Sequence, residues 1–544
     1  MAAGTVFDWD EVPESEPIPG FHGRVIHSDS MTFVLWRIEA GARLPEHNHV
    51  QEQVAFVLEG TFEVTVAGET RRLRPGLVGT IPSNARHSGR AVTECRILDA
   101  FQPVREDYRD GLTASVIGGT TGAGFTGLSA ANALSDAGVD FVVLEARERV
   151  GGRVEAIVNG LGESVDSGGQ FLCEDMPELM ALVKAHGLTL EESHLAGRFV
   201  ALPPVGEAET ERVYAAAMAI RDRLNELSPD DPALAGLTVA DWLAGQPDAA
   251  TAKAGFRSMI EGLWCLALER MPAWYLVSND RRVTNTVSEL QYYVGETMHA
   301  LARSLADDLG DRLVLGAPVR RVERGASGVR VVGAAATVAA SAVLVAVPPA
   351  TAAKLNFAPP LPAPLKRALG AWESGAVIKV QLRYAKAFWR EQGLSGMVMW
   401  REPPGLFAFD TSPDEARPML TFFIGGPKAL AMTGLGQSAL RDAAVARLVE
   451  GLGPEAAEPL DVTVRDWTHD RWSGGAYSDI VIDIEATNAE DVIRAGAPPV
   501  FFAASELSPS YPGYIEGAIV AGRAGAERII ASLQSARATS ASGS

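Results

Sequence analysis

GAGFTGLSAANALSDAGVDFVVLEARERVGGR, running from Gly122 to Arg153, decides how most of this chain folds. Its first six residues are a GxGxxG (Gly122, Gly124, Gly127) that opens a helical apolar run. Glycines there permit a tight turn and let the backbone approach a pyrophosphate, whose charge is favoured at a helix N-terminus. Ser115–Ile117 before the turn and Val139–Glu145 after the helix read as strands, which makes one βαβ unit with parallel pairing. Glu145 ends the second strand about 20 residues beyond the glycines, where a carboxylate accepts from ribose hydroxyls. Strand, glycine turn, helix and acidic residue together predict a dinucleotide-binding domain.

Outward from this unit the chain changes character. Up to about residue 105 it alternates in short strands (Met31–Glu39, Gln53–Leu58, Thr61–Val66) broken by Glu59-Gly60 and Arg74-Pro75-Gly76, which predicts a small all-β barrel or sandwich. The polar stretch Pro103–Leu112 marks the boundary. Downstream, residues 175–310 read as mainly helical, 311–350 as strands, and 372–400 and 419–425 as further strands. The tail from Gln534 to Ser544 is low in complexity and is expected to be disordered.

With 544 residues, the chain exceeds the roughly 250–300 that one core supports, so several domains are expected. Its 48 Lys+Arg against 68 Asp+Glu give a net charge of −20, which excludes a general nucleic-acid binder. Three cysteines (Cys95, Cys173, Cys265) form no CxxC pair, so neither a disulfide framework nor a Cys-rich zinc site is available. The start lacks a signal-peptide pattern, and Val331–Val347, the longest apolar stretch, is interrupted by Gly333, Thr337 and Ser341. It falls short of the ~20 apolar residues of a membrane helix. A cytoplasmic location without membrane contact is the expectation.

Three histidines stand out in the β region. His47, His49 and Gln53 share a face if their strand is regular, while Glu52 points the other way. Imidazoles suit first-row divalent ions, and His87 would complete an open site. Gly41-x5-His47-x-His49-x3-Gln53-x6-Gly60 and Pro82-Ser-Asn-Ala-Arg-His87 resemble the two cupin motifs, in the form of small cupins of pectin and uronate degradation. Gln53 stands where that family usually places a carboxylate ligand, so the resemblance implies a metal set of His47, His49, Gln53 and His87. Lactone or uronate isomer chemistry and a structural or sensory barrel are both open.

The remainder resembles the flavin-dependent amine oxidases of the monoamine and polyamine oxidase type, over roughly residues 113–530. Five separated segments carry the likeness: the Gly122–Arg153 run, Asp166-Ser-Gly-Gly169-Gln170, Pro318-Val319, Phe502-Ala-Ala-Ser-Glu506 and Tyr511-Pro-Gly-Tyr514-Ile515-Glu-Gly-Ala518. The resemblance implies non-covalent FAD held by Gly122, Gly124, Gly127, Glu145, Arg147, Gly152, Arg153, Gly169, Gln170, Val319, Trp467, Glu506 and Ile515. Ala476 stands where mitochondrial relatives carry a flavin-linking cysteine. Lys354 is expected to reach flavin N5 through a water, with Tyr477, Tyr514 and Trp472 forming the aromatic cage for the amine. One departure is expected to matter: Gly118-Gly119-Thr120-Thr121 looks like an insertion in the turn before GAG, able to lift the helix from the pyrophosphate.

The whole is therefore expected to be a multidomain protein. An all-β cupin barrel (1–108) precedes a Rossmann-like α/β FAD-binding domain (112–190, 311–352, 460–533) interleaved with an α+β substrate domain (191–310, 353–459), then the tail (534–544). The implied reaction is hydride transfer from an amine α-carbon to flavin N5, imine hydrolysis and reduction of O2 to H2O2. Phe171, where α-amino-acid oxidases carry an arginine, favours an amine lacking an α-carboxylate. The expected partners are that small-molecule amine and O2, with no nucleic acid or membrane, and a homodimer is compatible. Two alternatives stay open: an amino-acid or biosynthetic-intermediate oxidase or desaturase, and a cupin-based ligand-binding or redox-sensing flavoprotein without oxidase turnover.

Overall fold

The computed structural model describes residues 6–542, apart from 29, 50, 106–107, 109–113, 326–327 and 334–336. Most of the expected Pro103–Leu112 boundary lies outside the described residues.

The N-terminal strands build two facing antiparallel sheets. One has six strands in the order Ser15–Ile18, Phe21–His27, Thr32–Ile38, Cys95–Gln102, Glu52–Glu59, Val78–Ile81. The other has four: Arg43–His47, His87–Ala91, Phe62–Val66, Glu69–Leu73. Alternation drives the fold, since Thr32–Ile38 buries every second residue and puts Val34, Trp36 and Ile38 inside with Phe21, Phe62 and Phe101. The histidine pair does not share one strand with Gln53, as the parity reading required. One strand stops at His47 and the next starts at Glu52, so the chain turns between them.

The second body is a mixed sheet of eight strands. Ala114–Thr121 lies at its centre, parallel to Phe141–Leu144 on one side and Thr337–Val345 on the other. The suspected insertion is strand. Gly118, Gly119, Thr120 and Thr121 pair in register with Phe141, Val142, Val143 and Leu144, and with Ala342 to Val345. Hydrogen bonds on both sides hold these four residues in the sheet, so the glycine turn begins where the strand ends. Helix Phe125–Asp136 follows and packs on the last helix, Ile515–Ser542. Their contact is close because Gly522 lacks a Cβ, which would sit 2.2 Å from Thr126 O. That last helix runs on to Ser542, through residues expected to be disordered.

A six-stranded sheet forms the third body, in the order Arg198–Leu202, Leu394–Trp400, Leu406–Asp410, Met419–Gly425, Val377–Arg383, Asp461–Asp466. Helices Glu207–Asn225 and Ala250–Trp264 pack beside it. Two borders differ from the sequence reading. Asp461–Asp466 pairs with Val377–Arg383 and so belongs to this sheet, whereas Asn356–Ala358 pairs with Val319–Gly325 in the nucleotide-binding sheet. Strand pairing sets both borders, and no local residue pattern records it.

Candidate functional site

One cavity of about 740 Å³ runs from the glycine turn into the face of the six-stranded sheet. Glycine geometry shapes its first part. Gly122 has φ +100°, and a Cβ there would lie 2.7 Å from Ala346 O. Gly152 has φ +61° and faces Gly124, whose Cα would lie 3.2 Å from a Cβ at 152. Glu145 is buried, and its two oxygens accept from Ala123 N at 2.6 Å and Arg147 N at 2.8 Å, which turns the carboxylate along the cavity wall. Thr121 also lines the wall, and its buried Oγ1 has no hydrogen-bond partner. A glycine-made groove at a helix N-terminus, an acidic ribose acceptor and an unsatisfied hydroxyl fit a dinucleotide.

The structure gathers the dispersed candidates on this cavity. Gly122, Gly124, Glu145, Arg147, Gly152, Arg153, Gly169, Gln170, Val319, Trp467 and Ile515 line it, as do Lys354, Trp472, Tyr477 and Tyr514. Two candidates stand apart. Gly127 serves packing, since a Cβ there would meet Gly122 O at 1.8 Å. Glu506 is 0% exposed and holds Arg153, accepting from Nη1 at 2.6 Å and from Asp479 N at 3.0 Å. It positions a wall residue from behind.

Lys354 is exposed at the cavity rim. The buried lysine is Lys379, 3% exposed, on strand Val377–Arg383. Its Nζ donates to Asp166 O at 2.6 Å, Gly168 O at 2.9 Å and Gln170 Oε1, and sits 5.6 Å from the Phe423 ring centroid. Burial pushes its pKa down, with the Asp166 charge opposing. Sequence reasoning passed over it, although a lysine inside the apolar run Val377-Ile-Lys-Val-Gln-Leu was a signal. Around it stands an aromatic wall: Phe407 stacks on Phe423 at 4.8 Å, Phe409 and Phe171 follow edge-on, and Tyr477 meets Phe423 at 6.0 Å. Burial raises the Tyr477 and Tyr514 pKa values, so both stay neutral phenols. Ala476 offers no thiol, and Cys265, packed in the same apolar cluster, is pushed up by burial to about 12.

A second site lies in the barrel. The ligand atoms of His47, His49 and His87 all fall within 4.8 Å of one another. Each Nδ1 sits 2.9 Å from a backbone carbonyl (Pro45, Gln51 and Ala85 respectively), so each Nδ1 carries the proton and each Nε2 presents a lone pair. Burial lowers all three pKa values, that of His49 to about 3, which keeps the rings neutral. Gln53 Oε1 lies 3.2 Å from His49 Nε2, two acceptors facing each other, while buried His87 Nε2 has no partner. That donor set fits a first-row divalent ion. Gln53 is buried and Glu52 exposed. Asp99 and Arg105, which sequence reasoning missed, line the same space. Asp99 accepts from Trp36 Nε1 at 2.9 Å, and burial raises its pKa to about 6. The signal was an acid on the inward parity of Cys95–Gln102.

Comparison with known proteins agrees with this geometry. A family model described as flavin containing amine oxidoreductase matches residues 125–530, and a cupin domain model matches 34–101. An L-amino acid dehydrogenase of Synechocystis sp. is 25% identical over 445 residues, covering 75% of this chain and 93% of that relative. A putrescine oxidase structure with putrescine bound superposes with TM-score 0.70 and 27% identity, covering 77% of this chain and 100% of that chain. Cyclohexylamine oxidase from Brevibacterium oxydans gives TM-score 0.70 and 27% identity over 77% and 99%.

Proposed function

The chain belongs to the flavin containing amine oxidoreductase family, and from that premise we propose that it oxidises an amine lacking an α-carboxylate with non-covalently held FAD. The observation that carries this reading is the continuity of the nucleotide groove with a lysine-floored aromatic cavity. When bound, FAD supplies a hydride acceptor for the amine α-carbon and a route for those electrons to O2, which becomes H2O2. Gly122, Gly124, Glu145, Gly152 and Arg153 would hold the dinucleotide, and Trp467, Ala476 and Gln170 the ring end.

The chain's own residues then orient the amine. Neutral Tyr477 and Tyr514 offer two ring faces to an ammonium or amine and exclude water, which aligns the reacting carbon. Lys379 Nζ is the proton-holding group of the cavity, since burial brings its pKa down towards neutrality while three oxygens fix its position. The kinship to an L-amino acid dehydrogenase raises the question of a carboxylate clamp. Arg221 is the arginine nearest that role on the wall beside Tyr514, and Asp280 already takes its Nε at 2.7 Å and Nη2 at 3.0 Å. Phe171 is apolar. Both features favour an amine over an amino acid.

Anaerobic mixing of the flavin-loaded protein with amines tests the reading. Bleaching of the flavin band is expected. Lys379→Met should slow it about 100-fold without loss of flavin, while Lys354→Met stays near the parent. The reverse pattern would return the role to Lys354.

The neutral His47, His49, Gln53, His87 set supports a divalent metal in the cupin, with Asp99 and Arg105 beside it. The unpartnered His87 Nε2 carries that second reading.

A further inference from the structure

The barrel encloses a cavity of about 120 Å³ that reaches His47, Gln53 and His87. Its walls are mostly apolar: Phe21, Ile38, Phe62 and Ile97 come from the barrel, and Val142 and Leu144 from the nucleotide-binding sheet. Among the described residues only Asp99 and Arg105 bring a formal charge to this wall, and both stand at the histidine end. Arg105 lies over the Phe101 ring at 5.1 Å, and that ring is 5.5 Å from His49. Asp99 is 7% exposed; its Oδ2 accepts from Trp36 Nε1 at 2.9 Å, while its Oδ1 is buried with no hydrogen-bond partner. Strand register sets Asp99 beside the metal donors. Gln53 pairs with Phe101, and Asp99 follows on the same inward face of that strand. Such diagonal neighbours lie about 7 Å apart, a gap that a small ligand spans.

These walls disfavour the sugar acids that the histidine motifs suggest. A uronate would press several hydroxyls against aliphatic and aromatic carbon, and each one left unpaired is costly. An apolar cavity of about 150 Å³ holds benzene, so this one has room for about one six-membered ring. Resting on the cupin metal reading above, we propose that the barrel binds a compact apolar ring compound carrying two adjacent oxygens. One oxygen faces the metal donor set, and its neighbour, a hydroxyl, donates to Asp99 Oδ1. The hydroxyl supplies the donor that Oδ1 lacks, Arg105 brings positive charge to the oxygen end, and the ring takes the apolar wall. A ring with a single oxygen would leave the buried carboxylate oxygen unmet. Hydrogen bonds to charged groups are worth enough to separate the two ligands by about 10- to 100-fold in affinity.

The test uses the full-length protein loaded with Co²⁺ and titrates catechol, phenol and galacturonate anaerobically, reading the visible bands of the metal. Loss of those bands in His49→Ala identifies them as the histidine site. Catechol is expected to shift them with an affinity about tenfold or more above that of phenol, and galacturonate to leave them unchanged. Asp99→Asn keeps an oxygen for Trp36 Nε1 but puts an amide N–H donor in place of the unmet acceptor. In that variant catechol should fall to the affinity of phenol, while phenol keeps its own, which reports an intact cavity. Three results overturn the proposal and leave the metal site standing: galacturonate binding as tightly as catechol, a parent that does not separate catechol from phenol, or an Asp99→Asn variant that keeps the preference. Failure of Co²⁺ to give histidine-dependent bands overturns the metal reading itself, and this assignment with it.

Discussion

Asp470 governs a corner of the cavity through contacts near in sequence and one, from Arg147, 323 residues away. Its Oδ1 accepts from Trp472 N at 3.0 Å and Ser473 N at 2.9 Å, which fixes the loop that carries Trp472. Arg147 pairs with the same oxygen, and Arg465 Nη2 donates to Oδ2 at 2.8 Å. Burial opposes the charge, but the Arg147 guanidinium and the hydrogen bonds from Arg465 and Ser473 outweigh it and hold the carboxyl well below its ordinary range. A carboxyl lowered in the folded state stabilises fully above its unfolded pKa, near 3.9, and that contribution is lost as pH falls further. Thermal melts from pH 7 down to about 2 should therefore show the parent losing more stability than Asp470→Asn. At pH 7 the variant should be less stable by about 1–3 kcal/mol. Parallel curves would remove Asp470 from the acid transition. Lys379 teaches a related lesson at this scale: its residue type was visible, but its burial and its three oxygen partners came from Asp166, Gly168 and Gln170, some 210 residues upstream. Lys354 carried the expected sequence neighbourhood and lines the same cavity.

Among the elements, the central strand Ala114–Thr121 has the most exacting geometry. It pairs on both sides, so its length sets how far the glycine turn projects beyond the sheet. Deleting one residue from Gly118–Thr121 should pull Gly122 into the sheet and exchange the faces of the remaining side chains. Soluble yield and bound flavin should both collapse, whereas an extra turn residue would be dispensable. A soluble deletion variant with the parental flavin spectrum would show that the segment is loop. The glycines, the helix and Glu145 were legible beforehand because their spacing is local. The strand character of Gly-Gly-Thr-Thr was not, since its two glycines favour a turn and the two flanking strands override them. The same cause moved the other borders: Asn356–Ala358 and Asp461–Asp466 take their sheet from the neighbour they pair with. In the barrel, the inward position of Gln53 was anticipated, but the continuous strand assumed for it was not. The chain turns after His47, and the barrel's curvature returns Gln53 to the histidines.

For the whole molecule, the two sites sit in different bodies, and exposed polar pairs are among the contacts between them. Arg43 meets Asp311 at 3.0 Å with both side chains about half exposed, and Arg86 donates to Gly138 O at 2.7 Å. Exposed pairs of this kind contribute about 0–1 kcal/mol, so the barrel should respond to its own ligand. Stripping metal with a chelator should lower a cupin melting transition by on the order of 10 °C, the shift expected for an ion held near 100 times its Kd. The flavin absorbance and its own transition should stay in place, and His49→Ala should mimic the stripped state. A chelator that bleached or shifted the flavin band would instead mean that the two sites are coupled. Sequence alone determined the two-part architecture, the nucleotide turn, the histidine trio and the absence of a thiol at position 476. Each of these is written in a spacing of a few residues, where covalent geometry limits what the backbone can do. Tertiary structure decided which lysine is buried and which acid stands behind the wall. Those properties depend on desolvation and on partners hundreds of residues away, and a side chain's chemistry is set by the neighbours that the fold supplies.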